Sequence, residues 1–146
     1  MDNYKDKLIE ILDKVGVMDW FDENEDGSFS TTVHTGKIIE AFKVKIIVDS
    51  HIVKITTETF LGAGNRKKEY VQPLFESINK MCKRGKFFVN EKNILAFFTS
   101  ITLEELEELS RPFGAVFYGC DVFEKYQDTI LKSLTGQQVF FMNMGA

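Results

Sequence analysis

Hydrophobic and polar residues alternate along this chain with a period that changes several times. Apolar residues three or four positions apart over residues 4–15 form one face of a predicted helix, and Gly16 stands where a helix-ending glycine is expected. Strict alternation over residues 29–33, 42–48 and 51–60 predicts three half-buried strands. Because the links between these strands are short, we expect them to pair as an antiparallel meander.

A second helical stripe occupies residues 66–83, and Gly85 follows it. Proline is tolerated in the first turn of a helix or at a kink. Because of Pro73, we expect the strong part of this helix to begin near Gln72, after a looser turn. The predicted apolar face of this helix consists of Leu74, Phe75, Ile78, Met81 and Cys82.

The next segment predicts a hairpin followed by a helix. Two apolar stretches, 86–89 and 94–98, flank the turn-rich residues 90–93. Since these strands are nearly all apolar, we expect them to be central in the sheet or well covered. Thr102 and Glu105 have the spacing of a capping box, which marks the start of the next helix.

The last helical stripe is long but carries residues that disfavour one smooth helix. Arg111-Pro112, Gly114 and Gly119 favour a kink or a break, without deciding between them. Gly136 ends the stripe. Residues 17–21, near the start of the chain, fit either a short strand or a packed link.

The elements follow the order α-β-β-β-α-β-β-α, which predicts an α+β domain over residues 1–136 and a separate tail over 137–146. We expect an antiparallel sheet with helices packed on one face and the other face partly free. Ten residues are predicted to lie in the core: Leu12, Val44, Ile46, Ile55, Phe75, Ile78, Phe88, Leu95, Phe97 and Leu106.

The composition favours a filled apolar core or an apolar contact surface over a polar pocket. Phenylalanine accounts for 14 of the 146 residues, and its side chain buries a large area without needing a hydrogen-bond partner. The net charge of −4 gives no general attraction for nucleic acid or for anionic lipid. No apolar run approaches the ~20 residues of a membrane span. We therefore expect neither nucleic acid nor a membrane as a partner.

The cysteine usage and the first residues predict a cytoplasmic protein. Cys82 and Cys120 are the only cysteines, and their spacing suggests no disulfide framework. The segment 1–6 is polar and acidic, so we expect no signal peptide.

No motif predicts catalysis, a cofactor or a metal. Asp22, Asn24, Asp26 and Gly27 match the first half of a calcium loop. However, Val33 stands where the closing glutamate belongs, so an acidic turn between strands is favoured. Both cysteines lie on apolar stripes, where free cysteine usually acts as a small hydrophobe. Since hydrolase signatures are also absent, we expect a protein that is not an enzyme.

One loop offers an alternative function. The segment from Gly62 to Lys68 has two glycines followed by the cations Arg66, Lys67 and Lys68, as a phosphate-binding loop does. It lacks the complete spacing of a nucleotide-binding motif. A solvated helix face is favoured, and a site for a small anionic or nucleotide-like ligand is the alternative.

A family resemblance rests on the second half of the chain. Residues 78–89, the turn and apolar strand after them, and the capped helix 102–106 resemble YbjN-type domains. The leading helix and the meander extend the resemblance to most of the chain, but residues 111–114 and the tail depart from it. These domains are described as bacterial sensory-transduction regulators with the fold of type III secretion chaperones. The resemblance therefore implies a protein-binding or regulatory role, often in a dimer, and transfers no catalytic residues.

The apolar tail is the candidate site for a partner. It follows an element that already ends at Gly136, and its apolar side chains are too many to leave in water at a free terminus. We expect them to pack on their own domain, on a second copy in a homodimer, or on another protein. Together these patterns predict a non-catalytic protein-binding module of chaperone or regulator type. The candidate contact residues are Val139, Phe140, Phe141, Met142 and Met144.

Overall fold

Six strands form one antiparallel sheet in the computed structural model, in the order β1-β2-β3-β4-β6-β5. The structure describes residues 3–35, 39–63, 65–109 and 114–134. The helices are α1 (Asn3–Lys14), α2 (Asn65–Asn79), α3 (Leu103–Leu109) and α4 (Tyr118–Leu134). The strands are β1 (Asp22–Glu23), β2 (Phe29–His34), β3 (Ala41–Asp49), β4 (Ile52–Gly62), β5 (Lys86–Val89) and β6 (Ile94–Thr102).

The predicted α+β class and the order of its elements are confirmed, with two additions near the start of the chain and with the last helix divided into α3 and α4. Of the two alternatives for residues 17–21, the structure shows the packed link, because Met18–Trp20 is one turn of 3-10 helix between the buried Val17 and Phe21. The acidic residues after it form the two-residue strand β1, which pairs with β2. The meander β2-β3-β4 is antiparallel throughout, as predicted.

Every second residue of the central strands is buried, and these residues share one face of the sheet. Val44 pairs with Thr57, Thr57 with Phe97, and Phe97 with Phe87, so that one buried row crosses four strands. Helices α1, α3 and α4 contact the central strands, and α2 contacts β5. Nine of the ten predicted core residues are buried, namely Leu12, Val44, Ile46, Ile55, Phe75, Ile78, Leu95, Phe97 and Leu106.

The tenth predicted core residue, Phe88, is only half-buried, and its neighbour Phe87 lies in the core instead. Both are phenylalanine, so the pattern alone does not say which of them faces the helices. Of the predicted alternatives for the hairpin strands, central in the sheet or well covered, β6 is central, whereas β5 is an edge strand whose Phe87 is buried. The ring of Phe87 packs against Phe75, Phe97 and Phe123 at centroid distances of 5.0, 5.0 and 4.9 Å.

Helix α2 runs continuously through Pro73, contrary to the prediction of a looser turn before Gln72. Proline removes one backbone donor from a helix interior. Here Val71 lies before the proline and Leu74 after it, and both side chains are buried. Burial on both sides of the proline therefore holds the helix together despite the missing hydrogen bond.

The same helix ends at Asn79, four residues before the predicted end at Lys83. The Asn79 side chain explains this end, because Nδ2 donates to the Phe87 carbonyl at 3.0 Å and Oδ1 accepts from the Phe87 N–H at 2.7 Å. One side chain thus replaces a strand partner for the edge strand β5. The position of α2 and the position of β5 are coupled through it.

Hydrogen bonds confirm the predicted end of α1 and the predicted start of α3. Gly16 has a positive φ of 79° after α1, and the Val17 N–H donates to the Leu12 carbonyl at 3.0 Å. At the start of α3, the Thr102 N–H donates to Glu105 Oε1 at 3.0 Å and the Glu105 N–H donates to Thr102 Oγ1 at 3.1 Å. This is the reciprocal pair of a capping box.

The last predicted helix is broken rather than kinked, because the turn at residues 114–117 precedes a new helix, α4. Gly119 does not mark the break but lies in the first turn of α4, where the helix approaches β4 and β6. A Cβ atom on Gly119 would lie 2.6 Å from Thr57 Cβ and 3.3 Å from the Phe97 ring. Only glycine permits this close contact between helix and sheet.

We predict that Gly119→Ala destabilises the protein by about 1–3 kcal/mol, because the added methyl group overpacks the contact with Thr57. Urea unfolding followed by circular dichroism measures this loss. Gly62→Ala is the matched control, since the atom nearest to its Cβ lies at 3.8 Å, an ordinary contact distance. Equal stability of the Gly119 variant and the wild type would contradict the packing described here.

We also predict that Asn79→Ala costs roughly 1–3 kcal/mol, because the Phe87 backbone loses two hydrogen bonds. Hydrogen exchange measured by mass spectrometry should show that the substitution accelerates exchange in β5, relative to the wild type, more than it does in β3. Ser77→Ala in the same helix is the control, since Ser77 Oγ only donates to the Pro73 carbonyl of its own helix. An Asn79 variant as stable as the Ser77 variant would refute the coupling of α2 to β5.

Candidate protein-binding surface

The face of the sheet opposite the buried row carries the residues that alternate with the core, and we name it the open face. Side chains of a strand alternate between the two faces, so the register defines its members. Across β3, β4, β6 and β5 the open face consists of Ala41, Lys43, Lys45, Ile47, Asp49, Ile52, Lys54, Thr56, Glu58, Phe60, Ile94, Ala96, Phe98, Ser100, Thr102, Lys86 and Phe88.

Several of these residues are apolar and accessible to solvent. The Phe60 side chain is 64% exposed and Ile47 is 40% exposed, and both belong to the large apolar residues that the structure leaves in water. Phe88 and Phe98 are half-buried, and the small Ala96 between them is covered completely. The face is therefore an apolar surface with phenylalanines at its centre and edge.

Lysines surround this apolar surface. Lys45 pairs with Asp26 at 3.3 Å and Lys54 pairs with Asp49 at 3.7 Å. Lys43 and Lys86 are exposed, and neither forms an ion pair with any residue in the described part of the chain. The open-face residues include two carboxylates, Asp49 and Glu58, and Glu58 accepts a hydrogen bond from Asn90 Nδ2 at 3.2 Å.

The hairpin turn borders the open face at the end of β5. Asn90 holds this turn, because its Oδ1 accepts from the Lys92 N–H at 2.9 Å and from the Ile94 N–H at 3.0 Å. A groove of about 450 Å³ lies there and is lined by Glu58, Phe88, Val89, Asn90, Glu91 and Lys92. The apolar surface thus continues into a concave region at the edge of the sheet.

In the acidic turn before β2, the carboxylate of Asp26 has a structural role. Asp26 Oδ1 accepts hydrogen bonds from the N–H of Ser28 at 3.0 Å and from its Oγ at 2.5 Å. These bonds, with the nearby Lys45, lower the pKa of Asp26 to about 2. Asp26 thereby closes the turn and anchors a lysine of the sheet. No group of three metal-ligating side chains occurs among the residues that the structure describes.

The thiols are in surroundings that disfavour a nucleophile. Burial raises the pKa of Cys120 to about 12, and burial also raises the pKa of the half-buried Cys82. A raised pKa keeps the sulfur as a thiol near neutral pH, whereas the reactive species is the thiolate. The histidines His34 and His51 are exposed on β2 and at the turn before β4.

The site residues predicted from the sequence fall mostly where the structure gives no side-chain description. Val139, Phe140, Phe141, Met142 and Met144 lie outside the described residues. Arg66, Lys67 and Lys68 belong to the first turns of α2, but their side chains are outside the described set as well. Both sites therefore stay predictions.

The open face itself was expected only as a partly free face, without named residues. The sequence of β4 contains a signal for the open face, because Lys54, Thr56, Glu58 and Phe60 alternate with the core residues. Three of these four residues are polar, as on a solvated face, and Phe60 departs from that pattern. An exposed phenylalanine at the end of a polar row was the feature that sequence reasoning missed.

None of the helices in the described ranges is long and apolar enough to cross a membrane.

Comparisons with known proteins give the fold but no family. No family model matches the chain, and no curated protein shows a significant match. A chain of the ExsC–ExsE complex is similar in structure, with a TM-score of 0.53 and 12% identity over 86% of this chain and 92% of that chain. This likeness shows the fold alone, which is the α+β fold of type III secretion chaperone-like proteins that was predicted.

A second solved structure is that of the Yersinia pestis type III secretion chaperone SycH in complex with a stable fragment of YscM2. Its TM-score is 0.45 and its identity 12%, over 91% of this chain and 98% of that chain.

Proposed function

We propose that this protein is a non-catalytic protein-binding module that acts through the open face of its sheet. The observation that carries the proposal is the exposure of Phe60 and Ile47 near opposite ends of the sheet face away from the helices, with the half-buried Phe88 and Phe98 in the rows between them. Exposed apolar side chains on one surface are typical of protein interaction sites. The thiols with raised pKa and the exposed histidines offer no paired nucleophile and base, which also favours binding over catalysis.

The finer role is that of a chaperone or a regulator in the cytoplasm. The fold supports this role, since the structurally similar chain comes from a complex between two proteins. The resemblance to YbjN-type domains points to regulation and rests on sequence motifs such as Asn79, the Phe-rich hairpin and the capping box. Asn79 and the capping box each form the hydrogen bonds on which such motifs depend.

Self-association through the apolar tail belongs to the same proposal. An open sheet face and a tail rich in phenylalanine and methionine are complementary in chemistry, and pairing two copies gives a closed two-fold dimer. Burial of Phe140 and Phe141 would contribute roughly 1.5–3 kcal/mol each.

The test of binding is capture from native lysate on the immobilised full chain, followed by mass spectrometry. Phe60→Ser should lose most of the captured protein, because the most exposed large apolar side chain of the surface is removed. Tyr4→Ser is the matched control, since Tyr4 is 44% exposed on α1 and away from the open face. Equal capture by both variants, or no specific capture by the wild type, would overturn the proposal.

A separate prediction concerns the tail. Light scattering of the full chain should give the mass of a dimer, and a chain ending at Gly136 should give the mass of a monomer. The shortened chain should also melt at a lower temperature, because apolar burial is lost. If both chains are monomers with the same melting temperature, the tail is neither a dimer element nor part of the core.

A further inference from the structure

The open face combines an apolar centre with a positive rim, although the whole chain has a net charge of −4. Ala96, Phe98 and Phe88 form the centre, which crosses β6 and β5, and Phe60 lies near the end of β4, two residues past Glu58, the partner of Ala96. Four lysines stand around it, at positions 43, 45, 54 and 86, against the two acids Asp49 and Glu58 among the open-face residues. The charge of this surface is therefore opposite in sign to that of the chain.

Two of the four lysines are available to a partner. Lys45 and Lys54 are already paired with Asp26 and Asp49, at 3.3 and 3.7 Å. Lys43 and Lys86 lie on opposite sides of the apolar centre, on β3 and β5, and have no ion-pair partner among the described residues. A ligand that spans the centre would therefore meet one free cation on each side.

The size of the surface indicates the kind of segment that covers it. Phe60 and Lys54 are six residues apart on β4, which is about 20 Å at ~3.3 Å per residue. An α-helix of ~13 residues has the same length, at 1.5 Å per residue. A helix on this face would add the third layer of an α/β/α arrangement, in which both faces of the sheet are covered.

We propose, as an extension of the protein-binding function, that the open face binds an acidic amphipathic helix of a partner protein. The apolar side of that helix packs on Phe60, Phe98 and Phe88, and carboxylates along its two flanks pair with Lys43 and Lys86. The charge of the rim excludes basic segments, so the lysines select the partner, and the phenylalanines supply most of the contact area.

The test uses a phage-displayed library of random peptides of about 16 residues, ~24 Å long as helices, panned against the immobilised full chain. Enriched peptides should be acidic and should carry apolar residues at helical spacing. Their affinity, measured by fluorescence anisotropy, should fall with rising sodium chloride concentration. Lys43→Glu/Lys86→Glu should weaken binding about tenfold, since two attractions become repulsions.

Lys80→Glu/Lys83→Glu is the matched control, because it changes the net charge equally at two exposed lysines that follow α2. This control should leave the affinity unchanged. Lys43→Gln/Lys86→Gln repeats the test without placing a new carboxylate opposite Glu58, in case the charge reversal perturbs the sheet. Circular dichroism checks that each variant is folded.

The outcomes separate this inference from the function on which it rests. Enriched peptides that are neutral or basic, or that bind both lysine variants equally, refute the acidic helix. If such peptides still lose binding with Phe60→Ser, protein binding at the open face stands. Peptides that are acidic, insensitive to Phe60→Ser and insensitive to the lysine variants would overturn both.

Discussion

The structure depends on one constraint, which is that the helices in the described part of the chain cover a single face of the antiparallel sheet. Each central strand places every second side chain among the helices, as Val44, Thr57 and Phe97 show in one row. The close approach of α4 at Gly119 makes this burial complete. The alternate residues, Phe60 among them, are left on the other face, and the proposed function follows from that asymmetry.

Much of the fold could be predicted because period-two and helical patterns are strong where one face is buried. The prediction failed where local chemistry was outweighed by packing. Pro73 was expected to delay α2, yet burial of Val71 and Leu74 on both sides of it sustains the helix. The hydrophobic pattern could not show which of Phe87 and Phe88 is buried, because both are apolar. The packing of Phe87 against α2 and α4 decides it.

The candidate site was less predictable than the fold, for a physical reason. A binding surface on an open sheet face uses residues from strands that are distant in sequence, such as Lys43 and Lys86, and their proximity is set by strand order. Motifs of residues close together in the sequence instead predicted binding sites at the tail and at the cations after Gly62. The sequence signal for a binding surface on the open face was Phe60. A large apolar residue that follows polar residues on the same face of a strand is either covered by a partner or exposed to water.

The central claim, that the open face is the surface that partners cover, is tested most directly by hydroxyl-radical footprinting. The oxidation of each aromatic side chain is measured in the free chain and in the complex with a captured partner protein. Protection of Phe60 is expected, with Tyr4 and Trp20, which are 44% and 54% exposed in the free chain, oxidised as before. Protection of Tyr4 or Trp20 with Phe60 still fully oxidised would contradict the account.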